Sequence, residues 1–400
     1  MKTLDAYSIL IILSVLVVIS YIFNYIARTL KIPSVLLLIG SGIGLKYAGD
    51  FFKLTLPGTQ TLLELLGITG LIFIVLEAAL DLRIEKHKLP LMGKAFVAAL
   101  VLLILTASMI GAVFKAYYHV NFRQALIHAI PLSVISSAIA IPSVTGMDEE
   151  RREFVVCESA FSDILGIIAF NFFVFEPETG WVAALNFSMD LFLILIISIV
   201  STAALVLLLH YVNSNVRFFL TFAIIILTYS VAKYFHLPSL VLVLCFGLVL
   251  SNYKLLNFPR IRLVLSFDKL NDVLGELKMM TAETAFIIRT FFFLLFGYTM
   301  NLTLLQSQEV VVVGLIIIVL ILGLRYLFLR LTLPKHASSL TFIAPRGLIT
   351  ILLFYSIPAE ERLPQVSDGI LFLLIVLTGV AMFIGLMVSD KTPNAEPGSS

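Results

Sequence analysis

The chain has 400 residues, of which 60% are hydrophobic and 13% charged, and its formal net charge is +2. A mean hydropathy of +1.07 excludes a water-soluble domain, because too few polar residues remain to cover a globule of this length. The two cysteines, Cys157 and Cys245, lie in apolar runs without metal-binding spacing, so neither a disulfide framework nor a zinc site is indicated. The composition therefore predicts an all-α polytopic membrane protein.

Apolar segments long enough to cross a bilayer recur along the chain. On the basis of about 20 residues per span, we predict about thirteen transmembrane helices. They cover residues 6–27, 33–48, 60–82, 93–115, 122–146, 153–175, 187–211, 216–234, 238–251, 283–301, 309–331, 337–357 and 367–389. The first follows only Lys2 and lacks a small-residue cleavage site, so we predict a retained helix rather than a signal peptide.

Lysine and arginine are distributed unevenly over the predicted loops. If the N-terminus is outside, the inner loops carry most of the basic residues, among them Arg83, Lys86, Arg151 and Arg152. The positive-inside rule then predicts an outer N-terminus and a cytoplasmic C-terminus, and we expect a bacterial inner membrane.

Two segments on the inner side have a different pattern. Apolar residues at three- and four-residue steps from Leu263 to Leu277 predict a separate amphipathic helix on the cytoplasmic surface. Residues 390–400 are polar and contain proline and glycine, so we predict a disordered tail.

The order of the helices suggests an internal repeat. Transporters are often built from two inverted repeats with interrupted helices at matching positions. If helix seven is a linker, helices one to six repeat as eight to thirteen, and helix five matches helix twelve. Helix five contains Ala140, Ile141 and Pro142, and helix twelve contains Pro345. Because proline removes a backbone donor, we predict two broken helices that cross at these residues and turn carbonyl groups toward a cation.

Six charged side chains lie well inside predicted spans: Glu77, Glu158, Asp163, Arg289, Arg325 and Arg346. Charges at this depth must pair with one another or line a water-filled cavity. On one helix, Ser159 and Asp163 are four residues apart and share a face, as do Glu158 and Ser162. One face therefore offers a carboxylate and a hydroxyl to a small cation, and the other offers a carboxylate to an arginine. In the alternative interpretation, the acids only neutralise arginines and hold the bundle together, a structural role that we also expect for Glu77.

These residues resemble a known family, the monovalent cation:proton antiporters, which include bacterial sodium/proton antiporters and animal sodium/proton exchangers. Glu158-Ser159 followed by Ser162-Asp163 is similar to the Glu-Ser-x-x-Asn-Asp signature of that family's sixth helix. The segments FIVLEAALDLR, RTFFFLLFGYTMN and APRGLIT are similar to its third-, tenth- and twelfth-helix motifs.

The resemblance implies a function and roles for individual residues. Asp163 would bind either the monovalent cation or the proton, and Ser159 would be a cation ligand. Glu158 would be a further ligand or the partner of Arg346, and Arg325 would be the core basic residue of electroneutral members. The resemblance also implies a homodimer, with dimerisation helices at 6–82 and 216–301 and moving core helices at 122–175 and 337–389. We therefore expect a transporter rather than an enzyme, without a cofactor or nucleic-acid partner.

The chain departs from the family pattern at two places. Ser162 replaces the family's asparagine, and Ala140-Ile141-Pro142 replaces a Thr-Asp-Pro sequence at the crossing. Hydroxyl groups of Ser136, Ser137 and Ser143 could compensate for the missing acid, and SSAIAI resembles the potassium-efflux branch.

Three functions are compatible with these features. We predict exchange of Na⁺, with Li⁺ or K⁺ as alternative cations, for protons. A K⁺/H⁺ efflux antiporter is one alternative. A symporter for organic anions is the other, since Arg289 and Arg346 could bind a carboxylate substrate. An intramembrane protease is not expected, because HExxH and a second buried aspartate are absent and His119, His128, His210 and His236 lie near predicted helix ends, where a Ser/His dyad is not the ordinary interpretation.

Overall fold

The computed structural model describes residues 6–30, 33–51, 59–82, 88–175, 181–211, 217–235, 237–252 and 267–389. In this part of the chain every regular element is a helix. The α-helices are α1 (Ala6–Leu30), α2 (Ser34–Phe51), α3 (Thr59–Asp81), α4 (Leu89–Tyr118), α5 (Phe122–Ser133), α6 (Ser137–Ser143), α7 (Glu149–Phe175), α8 (Trp181–Tyr211), α9 (Arg217–Tyr234), α10 (Ser239–Ser251), α11 (Phe267–Thr299), α12 (Gln308–Thr332), α13 (Ala337–Thr341), α14 (Leu348–Tyr355) and α15 (Asp368–Ser389). One 3₁₀-helix, Leu302–Gln306, connects α11 to α12.

Length and apolar composition identify the membrane-crossing parts of these helices. Among the described residues, six helical stretches are long and apolar enough to cross a bilayer: Leu89–Tyr118, Phe122–Ser143, Leu185–Ala204, Leu274–Thr299, Gln308–Thr332 and Asp368–Met387. Shorter apolar helices occur at Leu220–Tyr234 and Ser239–Ser251. The chain is therefore an integral membrane protein of helical type, while the total of thirteen spans stays a prediction.

The helices pack into two groups. In the first, which we call the scaffold group, α11 packs along α2 and α3, and α10 packs against α3, α8 and α9. In the second, the crossing group, α4 packs against α5 and α7, α7 packs against α6, and α14 packs against α5. In the same group, α12 packs against α4, α13 and α15. The segments predicted for dimerisation contain α1 to α3 and α9 to α11, and the predicted core segments contain α5 to α7 and α13 to α15. The assignment of these two roles stays a prediction. The dimer and the movement themselves stay predictions.

Polar contacts hold α3 within the scaffold group. The Ser251 hydroxyl donates to the Leu80 carbonyl at 2.8 Å, and the Asn252 amide donates to the Leu82 carbonyl at 2.9 Å. These carbonyls lie at the end of α3, where a helix has no amide partners of its own. The end of α10 therefore caps the end of α3.

The prediction of a separate amphipathic helix before residue 283 is wrong. Helix α11 runs without interruption from Phe267 to Thr299, because residues 276–290 contain no proline or glycine to end it. Leu274 and Leu277 belong to the buried core, so the apolar stripe packs against protein over this part of α11. Leu263 and the predicted tail at 390–400 lie outside the described residues.

Candidate cation and proton site

The first broken helix is interrupted between α5 and α6. Helix α5 ends at Ser133 and α6 begins at Ser137, with Val134 and Ser136 in extended conformations. Three backbone amides in and beside the break point at other elements. Ile135 N–H donates to Ser162 Oγ at 2.9 Å, Ser136 N–H donates to the Pro345 carbonyl at 2.9 Å, and Ser137 N–H lies 3.4 Å from Asp163 Oδ2. Partners on α7 and on the second broken helix thus replace the helical hydrogen bonds.

The second broken helix is interrupted between Thr341, where α13 ends, and Leu348, where α14 begins. Pro345 lies in this break, and the Arg346 amide donates to Thr378 Oγ1 at 3.0 Å. Gly347 touches the first break so closely that a Cβ atom there would lie 2.5 Å from Ser136 Oγ. The two breaks therefore cross at Ser136, Pro345 and Gly347.

The predicted position of the crossing is correct for Pro345 and wrong for Ala140, Ile141 and Pro142. These three residues lie inside α6, beyond the break, and Pro142 is exposed. The missing amide of Pro142 affects only the last turn of a seven-residue helix. The helix opens earlier, because serine and aspartate side chains of α7 accept the freed amides at 135 and 137. The acceptors Ser162 and Asp163 on α7, rather than the proline, mark where this helix opens.

Asp163 is the acid at the first break. It is 1% exposed, and its Oδ2 atom accepts a short hydrogen bond from Ser137 Oγ in addition to the contact with the Ser137 amide. Its Oδ1 atom is buried and has no hydrogen-bond partner among the described residues. Buried polar atoms are normally satisfied, so an unpartnered carboxylate oxygen is an exception that requires an explanation.

Glu158 lies on another face of α7 and is neutralised. Its two carboxylate oxygens accept from the Nη1 and Nη2 atoms of Arg325 on α12, at 2.6 and 2.8 Å. Both side chains are at most 2% exposed, and Arg325 Nε also donates to the Leu340 carbonyl at 2.9 Å. Bidentate arginine–carboxylate pairs are among the strongest charge-assisted contacts. Arg325 is thus the partner of Glu158, and the predicted pairing of Glu158 with Arg346 is wrong.

Arg346 instead binds backbone carbonyls at both breaks. Its Nε atom donates to the Leu132 carbonyl at 2.7 Å, and its Nη1 atom donates to the Ala344 carbonyl at 2.9 Å. Carbonyls at the end of a helix lack intrahelical partners. The guanidinium therefore ties the end of α5 to the second break, a use of arginine that residue spacing does not indicate.

The serines predicted as ligands have different contacts. Ser162 anchors the first break through the Ile135 amide, and the hydroxyl of Ser159 donates to the Val156 carbonyl of its own helix at 3.3 Å. Both are fully buried. Of the serines named as substitutes for the missing acid, Ser137 binds Asp163, whereas Ser143 bonds back to Ile139 in its own helix. Ser136 Oγ is buried without a partner among the described residues.

The remaining predicted charges lie away from the crossing. Arg289 on α11 and Glu77 on α3 are 3.4 Å apart and partly buried within the scaffold group. This ion pair fits the structural role expected for Glu77. In the part of the chain that the structure describes, no three His, Cys, Asp or Glu side chains cluster as they would around a multivalent metal ion.

A cavity of about 980 Å³ separates parts of the two helix groups. Scaffold residues such as Gly67 and Phe292 line one side, and Leu352 and His128 of the crossing group line the other. His128 Nε2 accepts the Leu363 amide at 3.1 Å, so the α14–α15 connection is held against α5. Asp163 does not belong to the lining. In the predicted topology the cavity lies on the outer half of the membrane.

Three comparisons with known proteins bear on this architecture. A family model described as "Sodium/hydrogen exchanger, transmembrane" matches residues 12–389. Among solved structures, the sodium proton antiporter MjNhaP1 from Methanocaldococcus jannaschii at pH 8 is similar, with a TM-score of 0.68, 17% identity and 94% of each chain covered. A structure of the same antiporter from an electron microscopy map has a TM-score of 0.66, 17% identity and 96% of each chain covered.

At these identities the structural likeness establishes the shared fold. No curated protein matches the chain by sequence. The family model, in contrast, covers the broken helices, α7 and nearly all of the other described elements. The chain therefore belongs to the sodium/hydrogen exchanger family.

Proposed function

We propose that the protein exchanges a monovalent cation, Na⁺, for a proton across a bacterial inner membrane, by alternating access around Asp163. The observation that carries this proposal is the environment of that carboxylate. Among the described residues, Asp163 is the one fully buried acid without an arginine partner. One of its oxygens is held by Ser137 and the other has no partner. Such an oxygen can bind a proton or a small hard cation, and one excludes the other.

The charges at the crossing support electroneutral exchange. Glu158 and Arg325 cancel as an ion pair, which leaves Asp163, among the described residues, as the buried acid whose charge can change. Binding of either Na⁺ or H⁺ at Asp163 adds one positive charge. Arginine does not release a proton at physiological pH, so we propose that one proton moves for each cation and that no net charge crosses the membrane.

Ligands beyond Asp163 are proposed from the same helix. Ser159, four residues before Asp163, lies on the same face of α7 and is the proposed hydroxyl ligand. Ser162 and Glu158 act mainly through the contacts that hold the first break and Arg325 in place. Organic-anion symport has weaker support, because Arg346 is occupied by backbone carbonyls and Arg289 by Glu77.

Alternating access would move the crossing group against the scaffold group of a homodimer. The two groups share few contacts compared with those inside each group, and the cavity runs between them. Rigid-body movement of one helix bundle around a fixed site is the usual mechanism of transporters with broken helices. In the predicted topology, the cavity would lead toward the outer side.

The experiment compares wild-type protein and Asp163→Asn in proteoliposomes that contain a pH dye. We expect Na⁺ to drive proton release by the wild type without a transport current on a supported membrane. Asp163→Asn keeps the side-chain shape but cannot ionise, so we expect no exchange from a folded protein with a normal elution profile. Li⁺ and K⁺ are tested in the same assay.

Asp190→Asn is the matched control, since Asp190 is only half-buried and lies on α8, outside the crossing group. It should exchange at the wild-type rate. Full exchange by Asp163→Asn, or a large Na⁺-induced current in the wild type, would contradict the proposed mechanism.

A further inference from the structure

Ser137 approaches Asp163 with two donors. The side-chain hydroxyl and the backbone amide of this one residue both point at Oδ2, and both residues are buried. Ser137 is also the first residue of α6 and follows Ser136, whose amide binds the Pro345 carbonyl. The contact thus connects Asp163 on α7 with the place where the broken helices cross.

This contact decides which carboxylate oxygen stays available. The terminal torsion of an aspartate is soft, so an unrestrained carboxylate can rotate and exchange its two oxygens. With Oδ2 held by Ser137, only Oδ1 remains without a partner. A proton and a cation must then compete for one atom at one position.

The same contact affects the competition itself. A hydrogen bond donated to a carboxylate stabilises the ionised form, which is the form that binds a cation. The other charged groups of the buried region are engaged elsewhere: Glu158 with Arg325, and Arg346 with the carbonyls of Leu132 and Ala344. Among the described residues, Ser137 is the one hydrogen-bond donor to Asp163.

From this geometry we propose that Ser137 is the positioning residue that sets the balance between cation and proton at Asp163. The proposal rests on the proposed exchange function and deepens it. A hydroxyl at the start of α6 thus orients the single exchangeable carboxylate and favours its ionised, cation-binding form.

The test measures turnover and the KM for Na⁺ of Ser137→Ala between pH 6.5 and 9 in proteoliposomes. A hydrogen bond to a charged group contributes enough to change an affinity about tenfold. We expect the KM for Na⁺ at neutral pH to rise about tenfold and the activity profile to move to higher pH. Turnover at saturating Na⁺ and high pH should stay within about twofold of wild type, since Asp163 is retained.

Two further variants test whether Ser137 acts through its hydrogen bond to Asp163 or only by filling space in the core. Ser137→Thr keeps the hydroxyl and should restore the KM and the pH profile. Ser133→Ala removes another buried hydroxyl of the same broken helix. Within the described residues this hydroxyl donates to the Ala129 carbonyl, so the variant should leave the KM and the pH profile unchanged. If Ser137→Ala cannot be purified, Ser137→Cys is used, because its thiol is a weaker donor and should shift the KM in the same direction.

The outcomes distinguish this inference from the proposed function. An unchanged KM and pH profile in Ser137→Ala, with active wild type and inactive Asp163→Asn, would overturn the role of Ser137 alone. A fall in turnover without a KM change, not rescued by threonine, would also overturn it. If the wild type moves no protons with any cation, the exchange function fails. Na⁺-dependent thermal stabilisation in detergent then tests the site directly, and equal stabilisation of wild type and Ser137→Ala would reject the inference.

Discussion

At the scale of single residues, the buried pair of Glu158 and Arg325 has a clear energetic consequence. Taking one partner away leaves an uncompensated charge in a region from which water is excluded, at a cost of about 3 to 5 kcal/mol. We therefore expect Glu158→Gln to lower the thermal stability strongly, with loss of exchange as a secondary effect of misfolding. Thermal unfolding in detergent measures the change.

A partly exposed ion pair between α7 and the start of α4 gives the control. Glu153 binds Lys88 at 2.6 Å, and both side chains are partly exposed, so Glu153→Gln should cost less than about 1 kcal/mol. The double variant Glu158→Leu/Arg325→Met removes both buried charges and should recover most of the stability lost by Glu158→Gln. Equal stabilities of the two single variants would show that the buried pair is not a stabilising unit.

The sequence identified the buried charges but not all of their partners. The sequence allows recognition of four buried charges, because each interrupts an apolar run: Glu158, Asp163, Arg325 and Arg346. A charge inside a membrane span is costly, so it is usually paired or functional. The partner of Arg346 could not be predicted, because its acceptors are backbone carbonyls. Those carbonyls become available only where a helix breaks, and the exact place of a break depends on tertiary contacts.

At the scale of elements, Gly347 is the closest point of the crossing. Its φ of −156° is open to any residue, so the constraint is steric: an added Cβ would lie 2.5 Å from Ser136 Oγ and 2.7 Å from Ile139 Cδ1. We expect Gly347→Ala to separate the breaks, to cost about 1 to 3 kcal/mol and to reduce exchange. Thermal unfolding and Na⁺-driven proton release measure both effects.

Gly323 on α12 provides the comparison. A Cβ there meets nothing within 4 Å, and alanine favours a helix interior, so Gly323→Ala should be neutral or slightly stabilising. If Gly347→Ala is as stable and as active as Gly323→Ala, the crossing is looser than the structure indicates.

The bounds of the long helices could be predicted from the sequence more accurately than the places where helices are interrupted. Long apolar runs produced bounds close to those of α1 to α4, because the bilayer sets a minimum length that the sequence displays directly. The interruption of helix five was expected at Pro142 but lies at Val134–Ser136. Pro142 removes one donor, whereas Ser162 Oγ and the Asp163 carboxylate accept the two amides at 135 and 137. These acceptors belong to α7, so the sequence of helix five alone does not indicate them.

At the scale of the whole molecule, the two helix groups allow a direct test of movement. In a background where Cys157 and Cys245 are replaced by alanine, Gly67→Cys/Leu352→Cys places thiols on α3 and α14, across the two groups. A Cβ at Gly67 lies 3.1 Å from Leu352 Cδ2. A short bis-methanethiosulfonate reagent should then stop exchange, and a reducing agent should restore it.

Gly70→Cys/Ile288→Cys is the matched pair inside the scaffold group, where a Cβ at Gly70 lies 3.1 Å from Ile288 Cγ2. Cross-linking this pair should leave exchange unchanged, because both residues would stay fixed relative to each other throughout the cycle. Unimpaired exchange with α3 and α14 fully cross-linked would rule out relative movement of the two groups.

The ion pair of Glu158 and Arg325 also bears on what can drive the protein in a cell. Because Arg325 neutralises Glu158, Asp163 would be the one exchangeable charge. Na⁺ and H⁺ each add one positive charge there, so the crossing group would carry the same charge with either ion bound. A membrane potential, worth about 2.3 kcal/mol per elementary charge per 100 mV, would then do no net work over a complete cycle. Flux would stop when the Na⁺ ratio across the membrane equals the proton ratio. In an alkaline environment with at least as much Na⁺ outside as inside, the protein would therefore import Na⁺ and release protons whatever the voltage. It could expel Na⁺ against its concentration gradient only when the outside is the more acidic side.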